Sequence, residues 1–202
     1  MTLSNAGLID TVTAEPRITA GAPSVVLGHL SNLTQEKGIR EVVDLAVDLR
    51  RAGREVELIV AGPIVNHQAG EQIARAQLAL GANFRYLGAV YGADKRDFFG
   101  RLTHFVFPST YKNEAAPLVV LEAMGAGIPV AAYDVGTLHE MLSPSDLLVP
   151  VHQDFVSAVS AWADQLDWAE AHAASIAKFE EMTSAYNDEI IGVVSALVGP
   201  SQ

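Results

Sequence analysis

The chain has 202 residues, half of them hydrophobic, with a mean hydropathy of +0.22, so it carries enough apolar surface for a real core and is not intrinsically disordered. Its formal charge of −11 and pI near 4.8 argue against a face built to neutralise a run of nucleic-acid phosphates, although local basic residues can still hold one small anion. With no cysteine there are no disulfides, thiolate metal sites or cysteine nucleophiles. Residues 1–24 lack sustained periodicity and contain Asn5, Gly7, Pro16, Gly21 and Pro23, the composition of a linker. The fold proper is expected to begin at Val25. From there short β-branched or aromatic runs predict strands over Val25 to Leu30, Val56 to Ala61, Phe84 to Leu87, Phe105 to Phe107, Val130 to Tyr133 and Leu147 to Val149. Several are apolar on both faces, as central parallel strands covered by helices require.

Helical patterns separate these runs. In the first, Ile39, Val42, Val43, Ala46 and Leu49 follow the 3.6-residue period, charged residues fill the opposite face, and Gly53 supplies a stop. Further helices are predicted from about His67 to Leu80, Ala93 to Leu102, Pro117 to Ala126, Thr137 to Leu142 and Asp154 to Gln165. A last one, in one or two pieces, runs from Trp168 to Leu197. Such strand–helix alternation predicts an α/β fold with a doubly wound parallel sheet, whose ligands bind at the carboxyl ends of the strands. No secretory start and no run approaching the roughly 18 to 20 apolar residues of a membrane span is visible, so a soluble, cytoplasmic protein is expected.

The most informative stretch is Pro108-Ser-Thr-Tyr-Lys-Asn-Glu114-Ala-Ala-Pro117-Leu-Val-Val-Leu-Glu122-Ala-Met-Gly-Ala-Gly127-Ile-Pro129. Pro117 suits the first turn of a helix, which leaves the amides of Leu118 and Val119 as unpaired donors at its positive end, an anion site by construction. The helix is otherwise apolar all round and should be buried, so Glu122 within it needs a partner. Either Glu122 is a hydrogen-bonded core residue, or it accepts from ligand hydroxyls while Glu114 does the same at the other end. Their eight positions of separation span about 12 Å if wholly helical, room for one carboxylate at a ribose and the other at a sugar. Residue chemistry alone leaves both readings open.

The stretch from Glu114 to Glu122 resembles the E-x7-E motif of the retaining family 4 glycosyltransferases. It lies within a longer similarity of Pro-Ser, an acidic residue, an apolar run, Glu-Ala-Met, Gly and Pro. Leu30-Ser-Asn-Leu-Thr-Gln-Glu-Lys37-Gly38, Ile59-Val-Ala-Gly62, Phe84-Arg-Tyr-Leu-Gly88-Ala-Val90 and Asp134-Val-Gly136 to Glu140 resemble further segments in family order, over roughly Val25 to Gln165. The resemblance implies a Rossmann-like domain, the C-terminal half of a GT-B fold, over 25–166. Its helices over 167–202 would pack toward an N-terminal acceptor domain not represented in this chain. The opening Leu3-Ser-Asn5-Ala-Gly-Leu-Ile resembles the segment that enters the second domain.

Carried over by position, the resemblance places Lys37 at the donor diphosphate and Glu114 at the transferred sugar, the two counted as catalytic, with Glu122 at the ribose. It places the backbone of Leu118 and Val119 at phosphate and the backbone near Val90 at the base. Lys37 has support of its own, since it precedes Gly38 at the start of the first helix, where a cation and free amides can share one anion. One position departs from the family: an Arg usually stands five residues before this Lys, and here it is Asn32, which donates hydrogen bonds but brings no charge. His29 is a conceivable substitute, although a histidine at a strand end is more often structural. His67, His104, His139, His152 and His172 show no metal-ligand spacing, and Trp162 and Trp168 suit helix packing better than base stacking.

The implied function is that of the donor-binding domain of a retaining glycosyltransferase, inactive alone, that moves a hexose-type sugar from a UDP-, GDP- or ADP-sugar without metal or other cofactor. Its partners are the nucleotide sugar and the acceptor domain, with no nucleic acid. A membrane-associated acceptor is compatible with the whole enzyme. The alternatives are a non-catalytic nucleotide-sugar-binding or interaction module, which Asn32 favours slightly, and an epimerase or phosphorylase of the same fold. No lysine context for a pyridoxal site supports the phosphorylase.

Overall fold

The computed structural model describes residues 25–111 and 116–198, so the linker expected over 1–24, including the Leu3 to Ile9 segment, lies outside the described residues. Elements follow in the order β1 (Val25–Leu30), α1 (Ile39–Arg51), β2 (Val56–Ala61), α2 (His67–Leu80), β3 (Phe84–Tyr86), α3 (Gly92–Phe99), β4 (His104–Phe107), α4 (Leu118–Gly125), β5 (Val130–Tyr133), α5 (Leu138–Met141), β6 (Leu147–Val149), α6 (Phe155–Gln165) and α7 (Trp168–Val198). The six strands form one sheet in the order β3-β2-β1-β4-β5-β6, every pairing parallel. This is the doubly wound arrangement, with its topological switch between β1 and β4.

Side-chain alternation along the strands sends apolar groups to both faces. Val25, Leu27, Leu58, Val60 and Val106 pack on one side with the inner residues of α1, α2 and α6, among them Val42, Leu49 and Phe155. Val26, Ile59, Phe105 and Phe107 pack on the other side with Phe98 and Phe99 of α3, Leu121 and Met124 of α4, and Phe179 of α7. The amphipathic stripe of α1 is buried as expected, with Leu45 added to it, and the helix stops at Ala52 before Gly53 at φ 84°.

Several local boundaries differ from the sequence reading by a residue or more, β3 for example ending at Tyr86 and not at Leu87, and three of them have a visible cause. β4 starts at His104, whose ring is buried against Trp162 with centroids 5.3 Å apart, so a residue that reads as polar takes a core position. α3 runs from Gly92 to Phe99, because the chain turns at Gly100 toward β4. α4 begins at Leu118, with Pro117 as an extended cap at ψ 114° and not as the first helical residue. Its carbonyl accepts from Val120 and Leu121.

The segment from 167 onward, expected to pack toward an N-terminal domain, is a single helix from Trp168 to Val198, and its first half packs on this domain. The Trp168 indole donates to Thr103 O at 2.9 Å, His172 Nδ1 lies 2.6 Å from Gly127 O, and Ala171, Ser175 and Phe179 are buried. Farther along, Ile191 is 63% exposed, as the expected unpartnered stripe of Ile190 and Ile191 requires, while the side chains of Val194 and Leu197 lie outside the described residues.

Candidate functional site

The loops that leave the carboxyl ends of β1, β2, β3 and β4 converge with the first turn of α4 on one cavity of about 380 Å³. Lys37 and Asn32 reach it from the β1–α1 loop, Val90 from the segment after β3, and Leu118, Val119 and Glu122 from α4. Six of the seven site residues predicted from sequence therefore share one cleft, although they come from three separate segments. The seventh, Glu114, lies outside the described residues, and its place in the site is not assigned.

Glycine at two positions lets the loops approach this closely. Gly38 caps α1 in the left-handed region at φ 78°, and a Cβ there would stand 2.3 Å from Pro108 O. The chain after β4 is thereby pressed against the start of α1, with Thr110 N donating to Glu36 O at 2.8 Å. Gly62 has φ 112°, and a Cβ on it would meet Ser31 O at 1.8 Å. Its N–H donates to Gly88 O at 2.6 Å and its carbonyl accepts from the Tyr86 hydroxyl at 2.9 Å, which ties the floor of the cavity together.

Lys37 projects along the aromatic wall of the site, with Nζ 4.7 Å from the Tyr111 ring centroid and 5.9 Å from that of Phe107. These are cation–π distances, and they hold the ammonium at the mouth of β4. Opposite it, Leu118 and Val119 are the first residues of α4, ahead of the amides that bond to Pro117 O, so their N–H groups belong to the unsatisfied, positive helix end. The shift of Pro117 to the cap leaves this donor pair unchanged. α4 is buried along Val120, Leu121, Ala123 and Met124, but it is not covered all round as expected: Leu118 is 45% exposed at the rim of the cleft.

His29 cannot stand in for the arginine that Asn32 replaces. It is fully buried at the centre of the sheet, with Nδ1 2.9 Å from Val106 O and Nε2 2.9 Å from Ser31 Oγ. A carbonyl only accepts, so Nδ1 carries the proton, Nε2 accepts, and the Ser31 hydroxyl donates to it. Burial drives its pKa down from 6.5 to about 4, with the Lys37 charge acting in the same direction against the opposing bond to Val106, so the ring is neutral at pH 7. His29 instead fixes the Ser31–Asn32 turn at the cavity wall.

Glu122 has a partner that sequence reasoning missed. Lys95 Nζ on α3 lies 2.5 Å from Glu122 Oε1, and both side chains line the cavity. The two residues are 27 positions apart on different helices, and no local pattern pairs them. Glu122 Oε2 is buried without a hydrogen-bond partner among the described residues. Glu122 is thus neither a fully satisfied core residue nor an open surface charge. Among the described residues no group of three or more His, Asp or Glu is arranged to hold a metal ion, and no helix is long and apolar enough to cross a membrane.

A doubly wound, all-parallel sheet covered by helices, with a helix end, a lysine and a carboxylate gathered at its switch point, defines an α/β domain of the Rossmann-like class. The chain belongs to the glycosyl transferases group 1 family, which it matches over residues 17–181. It is 31% identical over 128 residues to a 2-deoxystreptamine glucosyltransferase of Streptomyces kanamyceticus, covering 62% of this chain and 32% of that one. It is 27% identical over 147 residues to a GDP-mannose-dependent alpha-mannosyltransferase of Mycobacterium tuberculosis, covering 73% and 34%. Its fold matches that of Anabaena HepE, solved in complex with UDP-glucose, with a TM-score of 0.67 at 22% identity, over 85% of this chain and 49% of that one. The fold is the Rossmann-like C-terminal domain of GT-B glycosyltransferases, and the chain spans about a third of the length of the curated relatives it matches.

Proposed function

We propose that this domain binds the nucleoside-diphosphate sugar of a retaining glycosyltransferase and supplies the groups that draw off the leaving nucleotide. The observation that carries the reading is the convergence of Lys37, the α4 amino end and Glu122 on one cleft at the sheet's switch point. The helix amides of Leu118 and Val119 and the Lys37 ammonium face the diphosphate, Glu122 takes the ribose hydroxyls, and the backbone at Val90 meets the edge of the base. Charge that develops on the β-phosphate as the anomeric carbon–oxygen bond breaks is met by preorganised donors, an effect worth several kcal/mol in comparable sites. Lys37 and the helix end supply that positive charge without a metal. Glu114 is assigned to the hydroxyls of a hexose-type sugar.

Relatives named for glucose and for GDP-mannose, and a structural neighbour holding UDP-glucose, support a hexosyl nucleotide as ligand. UDP, GDP and ADP sugars all remain candidates, since a base read through backbone leaves its identity out of the side chains. Acceptor groups belong to a second domain that faces the cleft in the whole enzyme, so this chain alone binds donor weakly and transfers little. The neutral Asn32 and His29 give a second reading some support, a binding module of the same fold that has lost turnover.

Calorimetric titration of the chain with UDP, GDP and ADP tests the reading, repeated on Lys37→Ala. We expect one nucleotide to bind best and the substitution to weaken it roughly tenfold or more, the loss of a charge-assisted contact. A folded chain that binds none of the three at millimolar concentration overturns it.

A further inference from the structure

The Lys95–Glu122 pair spans the two helices that form one wall of the cleft. α3 is anchored through Phe98 and Phe99, both 1% exposed, and α4 through Leu121 and Met124, so both helices of the wall are packed into one core. Neither charged side chain is free in solvent, with exposures of 31% for Lys95 and 19% for Glu122. An ammonium bonded to Oε1 fixes the plane of the carboxylate as well as compensating its charge. It also leaves Oε2 as a buried acceptor with no donor among the described residues, an arrangement that is costly until a donor reaches it. A carboxylate held this way accepts and does not donate, so what completes it is a hydrogen-bond donor, a role the hydroxyl groups of a ligand can fill. The cis-diol of a ribose has two hydroxyls on adjacent carbons.

We propose that Lys95 is a positioning residue that holds the Glu122 carboxylate in the orientation from which it accepts the ribose hydroxyls, and so sets the preference for ribonucleotides over 2′-deoxyribonucleotides. The proposal rests on the nucleotide-binding reading above and adds a residue to it. Lys95 acts through Glu122, and the phosphate side of the cleft belongs to Lys37 and the α4 amides. Removing Lys95 frees the carboxylate to turn, and the selection for the diol is lost before binding of the diphosphate is.

The test is titration of the chain with UDP, GDP and ADP and with their 2′-deoxy counterparts, on the wild type and on Lys95→Met, Lys95→Arg, Lys95→Gln and Glu122→Gln, each checked for fold by circular dichroism. The wild type is expected to prefer its best ribonucleotide over the deoxy form by about tenfold, the scale of one hydrogen bond to a charged group. Lys95→Met and Lys95→Gln should bring that ratio close to one, Lys95→Arg should retain most of it, and combining Lys95→Met with Glu122→Gln should remove no more of it than Glu122→Gln alone. Equal weakening of both nucleotides by Lys95→Met, with the ratio intact, would overturn the positioning role while leaving the nucleotide-binding reading standing. Wild-type binding without any ribose preference overturns the role of Glu122 and that of Lys95 with it, and no nucleotide binding at all by the folded wild type overturns the reading on which both depend.

Discussion

Gly38 shows how much of the site depends on single backbone positions. It is the residue between Lys37 and α1, it takes a left-handed conformation, and the carbonyl of Pro108 occupies the space a side chain would need. Gly38→Ala therefore adds strain and a backbone clash together. We expect a loss of roughly 1–3 kcal/mol of stability, read by urea unfolding, and a weaker nucleotide complex from displacement of Lys37. A variant as stable as wild type would mean that the β1–α1 loop can move away from β4 at little cost. At this scale the sequence announced Lys37, Glu122 and the α4 amides, because each stands in a local pattern: a lysine before a helix-start glycine, a charge inside an apolar helix, a proline ahead of a helix. It could not announce Lys95. Nothing in the run Gly92-Ala-Asp-Lys-Arg-Asp sets Lys95 apart from Arg96. Only the packing of α3 beside α4 selects it.

At the scale of the elements, four of the six strands match their predicted bounds, because β-branched runs closed by glycine or polar residues mark their own ends. The fourth strand starts one residue before its apolar run, because His104, polar by type, sits inside the sheet layer beside Trp162. His29 on β1 and His104 on β4 form a buried, neutral pair of positions in adjacent strands. Burial lowers each pKa from 6.5 to about 4, and the Arg54 charge adds to the effect at His104. The unfolded chain binds these protons first, so the stability they leave intact above pH 6.5 declines as pH falls toward 4 and then levels off. Each site can remove roughly 3 kcal/mol over that interval. Thermal unfolding should show a Tm that drops between pH 7 and pH 4.5, and His104→Gln should flatten part of the drop. A slope identical in the variant would show that His104 takes up its proton without cost in the folded state.

For the whole molecule, the alternation of strands and helices made the doubly wound sheet legible, and its order placed the switch point between β1 and β4. The docking of α7 was less legible. Its long pattern alternates apolar and acidic positions without marking which stretch meets this domain, and the contact depends on Phe179 packing at Gly125 and His172 lying on Gly127, both set by tertiary approach. The proposed function requires that one cleft, built by the β1–α1 loop, the segment after β3 and the amino end of α4, receive a nucleoside diphosphate. Amide NMR of the isotope-labelled chain titrated with UDP, GDP and ADP tests this most directly. The largest shifts are expected on Lys37, Gly38, Val90, Leu118 and Val119, saturating with one ligand. Shifts centred instead on the exposed Ile64–Val65 surface at the start of α2, or spread evenly over the chain, would contradict it.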